Sequence, residues 1–179
     1  MYSGKTTELI RRITRYRSIH QRVLVVNHSL DDRYAGDENS IITHDEYAFN
    51  CVKGATLKEI DDRMRILADV DVIAIDEGQF FGDLKVYVLK FCEEYKKHVI
   101  VAGLVADYKR EKFGNMIDLI NYTDNIVHLK AYCTTCKNGS NAIFTKRLHS
   151  GEKQIDVGST DKYVALCRSC YLSKGIIHN

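Results

Sequence analysis

Two Cys-x-x-Cys pairs, Cys133-Thr134-Thr135-Cys136 and Cys167-Arg168-Ser169-Cys170, put four thiols on two tight knuckles. Four thiolates arranged this way suit Zn²⁺ in a closed tetrahedral structural site. A redox motif or buried thiols are the alternatives, and both explain the double pairing poorly. The 30 residues between the knuckles exceed the roughly 15–20 of common zinc ribbons. An insertion closed at its base by metal reads as a loop held in place for a function. Cys51 and Cys92 lie outside the pairs, and Cys92, on a helical pattern, reads as a small core residue. A second chemistry opens the chain. Ser3-Gly4-Lys5-Thr6-Thr7 has the composition of the second half of a phosphate-binding loop. Its backbone N–H groups and the following helix N-terminus would face phosphate oxygens, Lys5 would reach the β/γ-phosphates, and the Thr6 hydroxyl would hold Mg²⁺. The plainer reading is a capped helix start, with Ser3 or Thr6 as the cap. The full loop pattern has an earlier glycine and a feeding strand, both of which would fall before Met1. A third element is Asp76-Glu77, directly after the apolar run Val72-Ile73-Ala74-Ile75. An acid at the C-terminal end of a buried strand lies where α/β sheets bind ligands, and there it supports Mg²⁺. Glu77 is then a candidate general base. Taking a proton from water would make an ATPase, and from a substrate hydroxyl a kinase.

These residues need a scaffold, and the apolar pattern supplies one. Leu9, Ile10, Ile13 and Tyr16 recur at helical spacing between basic residues, so 6–19 reads as a helix with one core face. Val23-Leu24-Val25-Val26 and Val72–Ile75 read as buried strands, and His98–Leu104 and Ile126–Leu129 as two more. Residues 27–40 read as loop. Leu57, Ile60, Met64 and Leu67, then Leu84, Val88, Phe91 and Tyr95, mark helices, and 115–121 a short one. Strands alternating with helices predict a parallel α/β sheet covered on both faces. From Tyr132 the helical periodicity stops and Cys, Gly, Ser and Thr dominate. The expected organisation is an ATP-binding α/β domain over 1–130, with its first strand upstream of Met1, and a zinc-binding domain over 131–179.

Composition narrows the classes. The chain has 179 residues, 45% hydrophobic and 28% charged, enough to bury a sizeable core. Its 26 basic and 24 acidic residues leave a net charge of +2, a balance that argues against a whole-surface nucleic-acid binder. Average usage gives roughly nine prolines in such a chain; this one has none, which excludes Pro-rich linkers. No apolar run approaches the roughly 18 residues of a membrane span, and no leader pattern follows Met1. The expected setting is reduced and cytoplasmic, with cysteines that bind metal rather than form a disulfide framework.

Together the motifs resemble the thymidine kinases of the small cellular and poxviral type, over essentially the whole chain. The resemblance rests on Met1 to Arg12, Asp31-Asp32-Arg33-Tyr34, Asp76-Glu77-Gly78-Gln79-Phe80-Phe81, Thr145-Lys146-Arg147-Leu148, and Asp161-Lys162-Tyr163 leading into the second Cys pair. It implies a P-loop NTPase-type parallel sheet with helices on both faces, plus a small C-terminal zinc-ribbon domain carrying a lasso loop. It implies transfer of phosphate from ATP to the 5′-hydroxyl of thymidine, with Mg²⁺ as cofactor and a structural Zn²⁺ on Cys133, Cys136, Cys167 and Cys170. By position, Glu77 matches the base for the hydroxyl proton, Arg33 an arginine near the transferring phosphoryl, and Asp31 a carboxylate beside it. Ser3, Gly4, Lys5, Thr6, Thr7, Asp76 and Gln79 match nucleotide contacts, Thr6 and Asp76 through Mg²⁺. Phe80, Leu104, Tyr108 and Phe113 match walls of the base pocket, Met1 a position near the methyl group, and Thr145, Ile155 and Tyr163 lasso residues at the base edge. The family pattern further implies a homotetramer, inhibited by thymidine triphosphate.

The chain departs from that pattern between Leu104 and Phe113. It reads Val105-Ala106-Asp107-Tyr108 where the family usually has Asp-Gly-Thr-Phe, and it lacks the proline before Phe113. Tyr108 therefore brings a hydroxyl that needs a partner. Ser159 replaces a second glycine after Gly158, which stiffens the lasso tip. A P-loop ATPase with a zinc-ribbon nucleic-acid module is the competing reading; near-neutral charge and the lack of a second motor domain weigh against it.

Overall fold

The computed structural model describes residues 2–31, 40–42, 48–63, 69–149, 154–155 and 162–173. They fall into two compact units. The first, Thr6–Val105 with Lys112–Ile126, holds a four-stranded, all-parallel sheet. Its elements follow one another as α1 (Lys5–Ser18), β1 (Val23–His28), the antiparallel pair β2 (Ser40–Ile42) and β3 (Ala48–Asn50), β4 (Val52–Gly54) and α2 (Leu57–Arg63). Then come β5 (Val72–Ile75), α3 (Leu84–Leu89) continuing as a π-helical turn over Lys90–Glu94, and β6 (His98–Val101). The sheet order is β4-β1-β5-β6.

Alternation along the strands sorts the core onto two faces. Leu24, Val26, Ile73 and Ile75 join Leu57, Ile60, Leu84, Val88 and Phe91 on the α2/α3 face. Val25 and Ala74 turn the other way and meet Leu9 and Ile13 of α1. Ala74 is the small residue in that layer, and α1 lies against it through two fully buried aliphatic side chains. Two side-chain bonds set the far helix: Asp83 accepts the Leu57 and Lys58 N–H groups at 3.1 and 2.9 Å, capping α2 from outside its own segment. The sheet order brings the C-terminal ends of β1 and β5 side by side, Val26 beside Ile75.

Several sequence expectations change here. Asn27 and His28, read as loop, are the last residues of β1, and Ser40 opens β2. The apolar run Ile126–Leu129 is not a strand; Ile126 and Val127 are 58% and 50% exposed, because a strand needs a ladder partner and the described residues give it none. The fourth strand of the sheet is instead β4, where Lys53 interrupts the apolar pattern. The third strand ends at Val101 rather than Leu104, and the 115–121 segment is a 3₁₀ turn over Ile117–Tyr122. Met64 and Leu67 lie outside the described residues.

The second unit comprises the described parts of Met1–Lys5, Ala106–Glu111 and Val127–Asn179. It contains two antiparallel pairs, β7 (Ala131–Tyr132) with β8 (Asn141–Ala142), and β9 (Phe144–Arg147) with β10 (Tyr163–Leu166), followed by the one-turn helix α4 (Arg168–Leu172). Its buried cluster is made of Ala131, Cys133, Ala142, Ala165 and Leu166. Among the described residues no helix is long and apolar enough to cross a membrane.

Candidate active site and metal centre

Bonds from three successive N–H groups help to hold the turn after β5. The Asp76 N–H donates to Val26 O at 2.8 Å, the Gly78 N–H to Ala102 O at 2.9 Å, and the Glu77 N–H to Asp76 Oδ1 at 3.0 Å. Between them Glu77 takes φ 50° and ψ 41°, a left-handed conformation that a side-chain-bearing residue adopts at a cost of about 1–3 kcal/mol. Asp76, Glu77 and Gln79 are all buried. Such strain, together with buried acids at the end of a central strand, makes this turn a candidate functional site.

At the other end of the sequence Gly4 has φ +73°, and Lys5 is the first residue of α1. Thr6, one residue into that helix, donates its hydroxyl to Asp76 Oδ2 at 2.9 Å across 70 residues of sequence. Neighbouring oxygens around octahedral Mg²⁺, bound at 2.0–2.1 Å, lie about 2.9 Å apart. The hydroxyl–carboxylate pair therefore fits the hard-oxygen donor set of that ion. Ser3 is half-buried, while Thr7 points to solvent and is exposed.

Asp31 is buried at the end of β1. Asn27 Nδ2 donates to its Oδ2 at 3.0 Å, and Lys53 Nζ to its carbonyl at 3.1 Å. Neither Asn27 nor Lys53 stands out in the sequence, since one ends an apolar run and the other interrupts one. His28 also escapes sequence reasoning. Its Nδ1 accepts the Leu30 N–H at 3.0 Å, which leaves Nε2 to donate to Ala55 O, also at 3.0 Å. Its ring lies 4.7 Å from Phe81 and 5.7 Å from Phe80. Burial pushes the imidazole below its usual range, partly offset by the Ala55 carbonyl and by Asp83 and Asp31. Phe80 in turn meets Phe113 edge to face at 5.7 Å. Leu104 is present through its backbone N–H, which donates to Gln79 Oε1 at 2.9 Å. Met1 and Arg33 lie outside the described residues.

In the second unit, Tyr108 and Tyr163 face one another at 6.4 Å, with the Arg147 guanidinium 5.4 and 5.9 Å from their ring centres. The Tyr171 hydroxyl donates to Tyr108 O at 3.0 Å. Buried Asp107 accepts the Lys109 and Glu111 N–H groups at 2.8 and 2.9 Å, and Gln154 Nε2 at 2.9 Å. Thr145 sits on β9 opposite Ala165, and Ile155 is exposed.

The four Sγ atoms of Cys133, Cys136, Cys167 and Cys170 lie within 4.8 Å of one another. Tetrahedral Zn–S bonds of ~2.3 Å give sulfur separations of about 3.8 Å, so the cluster fits the ion. Its protonation tells the same story. Burial raises the Cys133 thiol, but N–H groups of Cys136, Cys167 and Thr135 outweigh it and bring it down to about 6. Hydrogen bonding with Cys167, then burial, then Cys133 and Cys136, push Cys170 up to about 12. Sulfurs this close cannot all be thiolates without a cation among them, and a dication resolves that conflict.

A thymidine kinase family model matches residues 1–171. Thymidine kinase of Choristoneura biennis entomopoxvirus is 36% identical over 180 residues, covering 99% of this chain and 95% of the viral protein. Thymidine kinase 1 of Dictyostelium discoideum is 37% identical, over 97% of this chain and 74% of that protein. Thymidine kinase a of Arabidopsis thaliana is 38% identical, over 99% and 74%. With the family match spanning both the acid turn and the four-cysteine cluster, this chain belongs to the thymidine kinase family of phosphotransferases.

Proposed function

We propose that this chain transfers the γ-phosphoryl group of ATP to the 5′-hydroxyl of thymidine, with deoxyuridine as a second acceptor, in pyrimidine deoxynucleotide salvage. The observation that carries the reading is the Thr6–Asp76 pair at 2.9 Å. It joins the phosphate-loop helix to the acid turn, in a chain of the thymidine kinase family. Thr6 and Asp76 would hold Mg²⁺, which supplies charge neutralisation to the phosphates. Ser3, Gly4, Lys5 and Thr7 contribute N–H groups and a cation at the start of α1. The Glu77 carboxylate takes the proton of the 5′-hydroxyl. The freed oxygen bonds to the γ-phosphorus as the bond to the β–γ bridging oxygen breaks, releasing ADP. Asp31 and Arg33 flank the transfer. Phe80, Leu104, Phe113 and Tyr108 wall the base, and Met1, Thr145, Ile155 and Tyr163 complete its contacts. Zinc on the four cysteines acts through structure alone, anchoring both ends of the lasso. Excluding water at closure directs the phosphoryl group to nucleoside rather than to hydrolysis. A cytoplasmic homotetramer inhibited by thymidine triphosphate, divided as 1–130 and 131–179, completes the proposal.

A nucleoside panel assayed with ATP and Mg²⁺ tests it. Thymidine monophosphate should form in preference to other products, and Glu77→Gln should lower kcat about 10²–10⁴-fold while calorimetry still detects ATP binding. ATP hydrolysis stimulated by DNA, with nucleosides inert, would select the ATPase reading instead.

A further inference from the structure

Gln79 is a buried carboxamide with both ends engaged. Its Oε1 accepts the Leu104 N–H at 2.9 Å, and its Nε2 donates to Glu77 Oε2. The first bond fixes the second: only the carbonyl end can accept an N–H, so the amino end must face the carboxylate. The space around Gln79 is cut to this arrangement. A Cβ at Gly103 would come 2.6 Å from Gln79 Oε1, so the glycine there leaves room for the carboxamide, and one at Gly114 would come 2.2 Å from the backbone carbonyl oxygen of residue 79, so that glycine lets the main chain pass. Glu77 has reason to need it. Its left-handed backbone sets where the side chain starts, and three side-chain torsions then decide where the carboxylate lies. A buried carboxylate also requires donors.

We propose that Gln79 is a positioning residue for phosphoryl transfer: its carboxamide, anchored on the Leu104 N–H, holds the Glu77 carboxylate in the orientation that receives the hydroxyl proton. The inference rests on the reading of Glu77 as the base. It differs from the nucleotide contact that the family resemblance implies for Gln79, and kinetics separates the two. A contact to ATP appears in KM for ATP, whereas orientation of the base appears in kcat.

The experiment measures kcat and both KM values on the full chain for wild type, Gln79→Leu, Gln79→Glu, Glu77→Gln and the Gln79→Leu/Glu77→Gln double variant. Gln79→Leu should lower kcat about 10–100-fold, the cost of a misplaced reacting group, with both KM values within about twofold. In the Glu77→Gln background the same change should cost less than about twofold, since no base remains to be held. Gln79→Glu keeps the acceptor for Leu104 and the volume but replaces the donor with an acceptor. Its kcat should fall at least as far, and it decides the matter if the leucine variant does not fold. A Gln79 variant with wild-type kcat, a raised KM for ATP alone, or an equal cost in both Glu77 backgrounds would overturn the inference. Wild-type turnover in Glu77→Gln would overturn the reading of the base itself, and is recognised separately because that variant leaves Gln79 intact.

Discussion

The two units of this chain solve the same problem by different means. The sheet unit buries long aliphatic and aromatic side chains on both faces of its strands, Ile73, Ile75, Phe81 and Phe91 on one and Leu9 and Ile13 on the other. Each such side chain contributes about 1.5–3 kcal/mol on burial, so an ordinary core accounts for its cohesion. The cysteine unit buries Ala131, Ala142, Ala165, Leu166 and a cysteine. Side chains that small remove little apolar surface, and short two-stranded pairs are marginal alone. The difference teaches where metal would matter: a zinc ion on the four cysteines would tie β7 to α4 and supply what the residue types there cannot.

The largest test of this contrast is removal of the metal. Chelation, or Cys167→Ser, should abolish hydrogen-exchange protection in β7 to β10 while β1 and β5 keep theirs. Structural zinc contributes on the order of 10 kcal/mol to such sites. Equal loss of protection in both units would break the comparison. A smaller effect in the opposite unit comes from Ile13→Ala, which opens a cavity between α1 and Ala74. Denaturant unfolding should report a loss of about 2–5 kcal/mol, with the zinc content of the purified chain unchanged. A fall in zinc content would show that the units are not independent in this way.

The smallest test uses pH. His28 is held below its usual range by burial, so the unfolded chain takes up the proton first as pH falls below about 6.5. Its contribution is fully present above that value and is lost as pH drops toward the folded imidazole's own titration. The wild type should therefore lose more thermal stability between pH 7.5 and 5.5 than His28→Gln does. Identical losses in the two proteins would remove His28 from the account.

Much of the site was legible because its chemistry is local. The Gly4-Lys5-Thr6 run at a helix start, an acid after four apolar residues, and paired cysteines each need only their neighbours to be recognised. Asn27, His28 and Lys53 were not legible, since their partners Asp31, Phe81 and the Asp31 carbonyl are reached by turns whose course no local pattern states. The run Ile126–Leu129 shows the reverse case. Its residues favour a strand, yet strand formation depends on a partner's free backbone groups rather than on propensity.

By itself the sequence determined the residue inventory of a candidate phosphate site and a candidate metal site, and the alternation that assigns each strand residue to a face. Those follow from side-chain chemistry and a fixed backbone period. Only the tertiary structure decided that the Thr6 hydroxyl meets the Asp76 carboxylate, that the Gln79 amino end faces Glu77, and that four sulfurs share one small volume. Each is a meeting of groups far apart in the chain or oriented by a third, and such meetings are set by strand order and packing, which no spacing along the chain encodes.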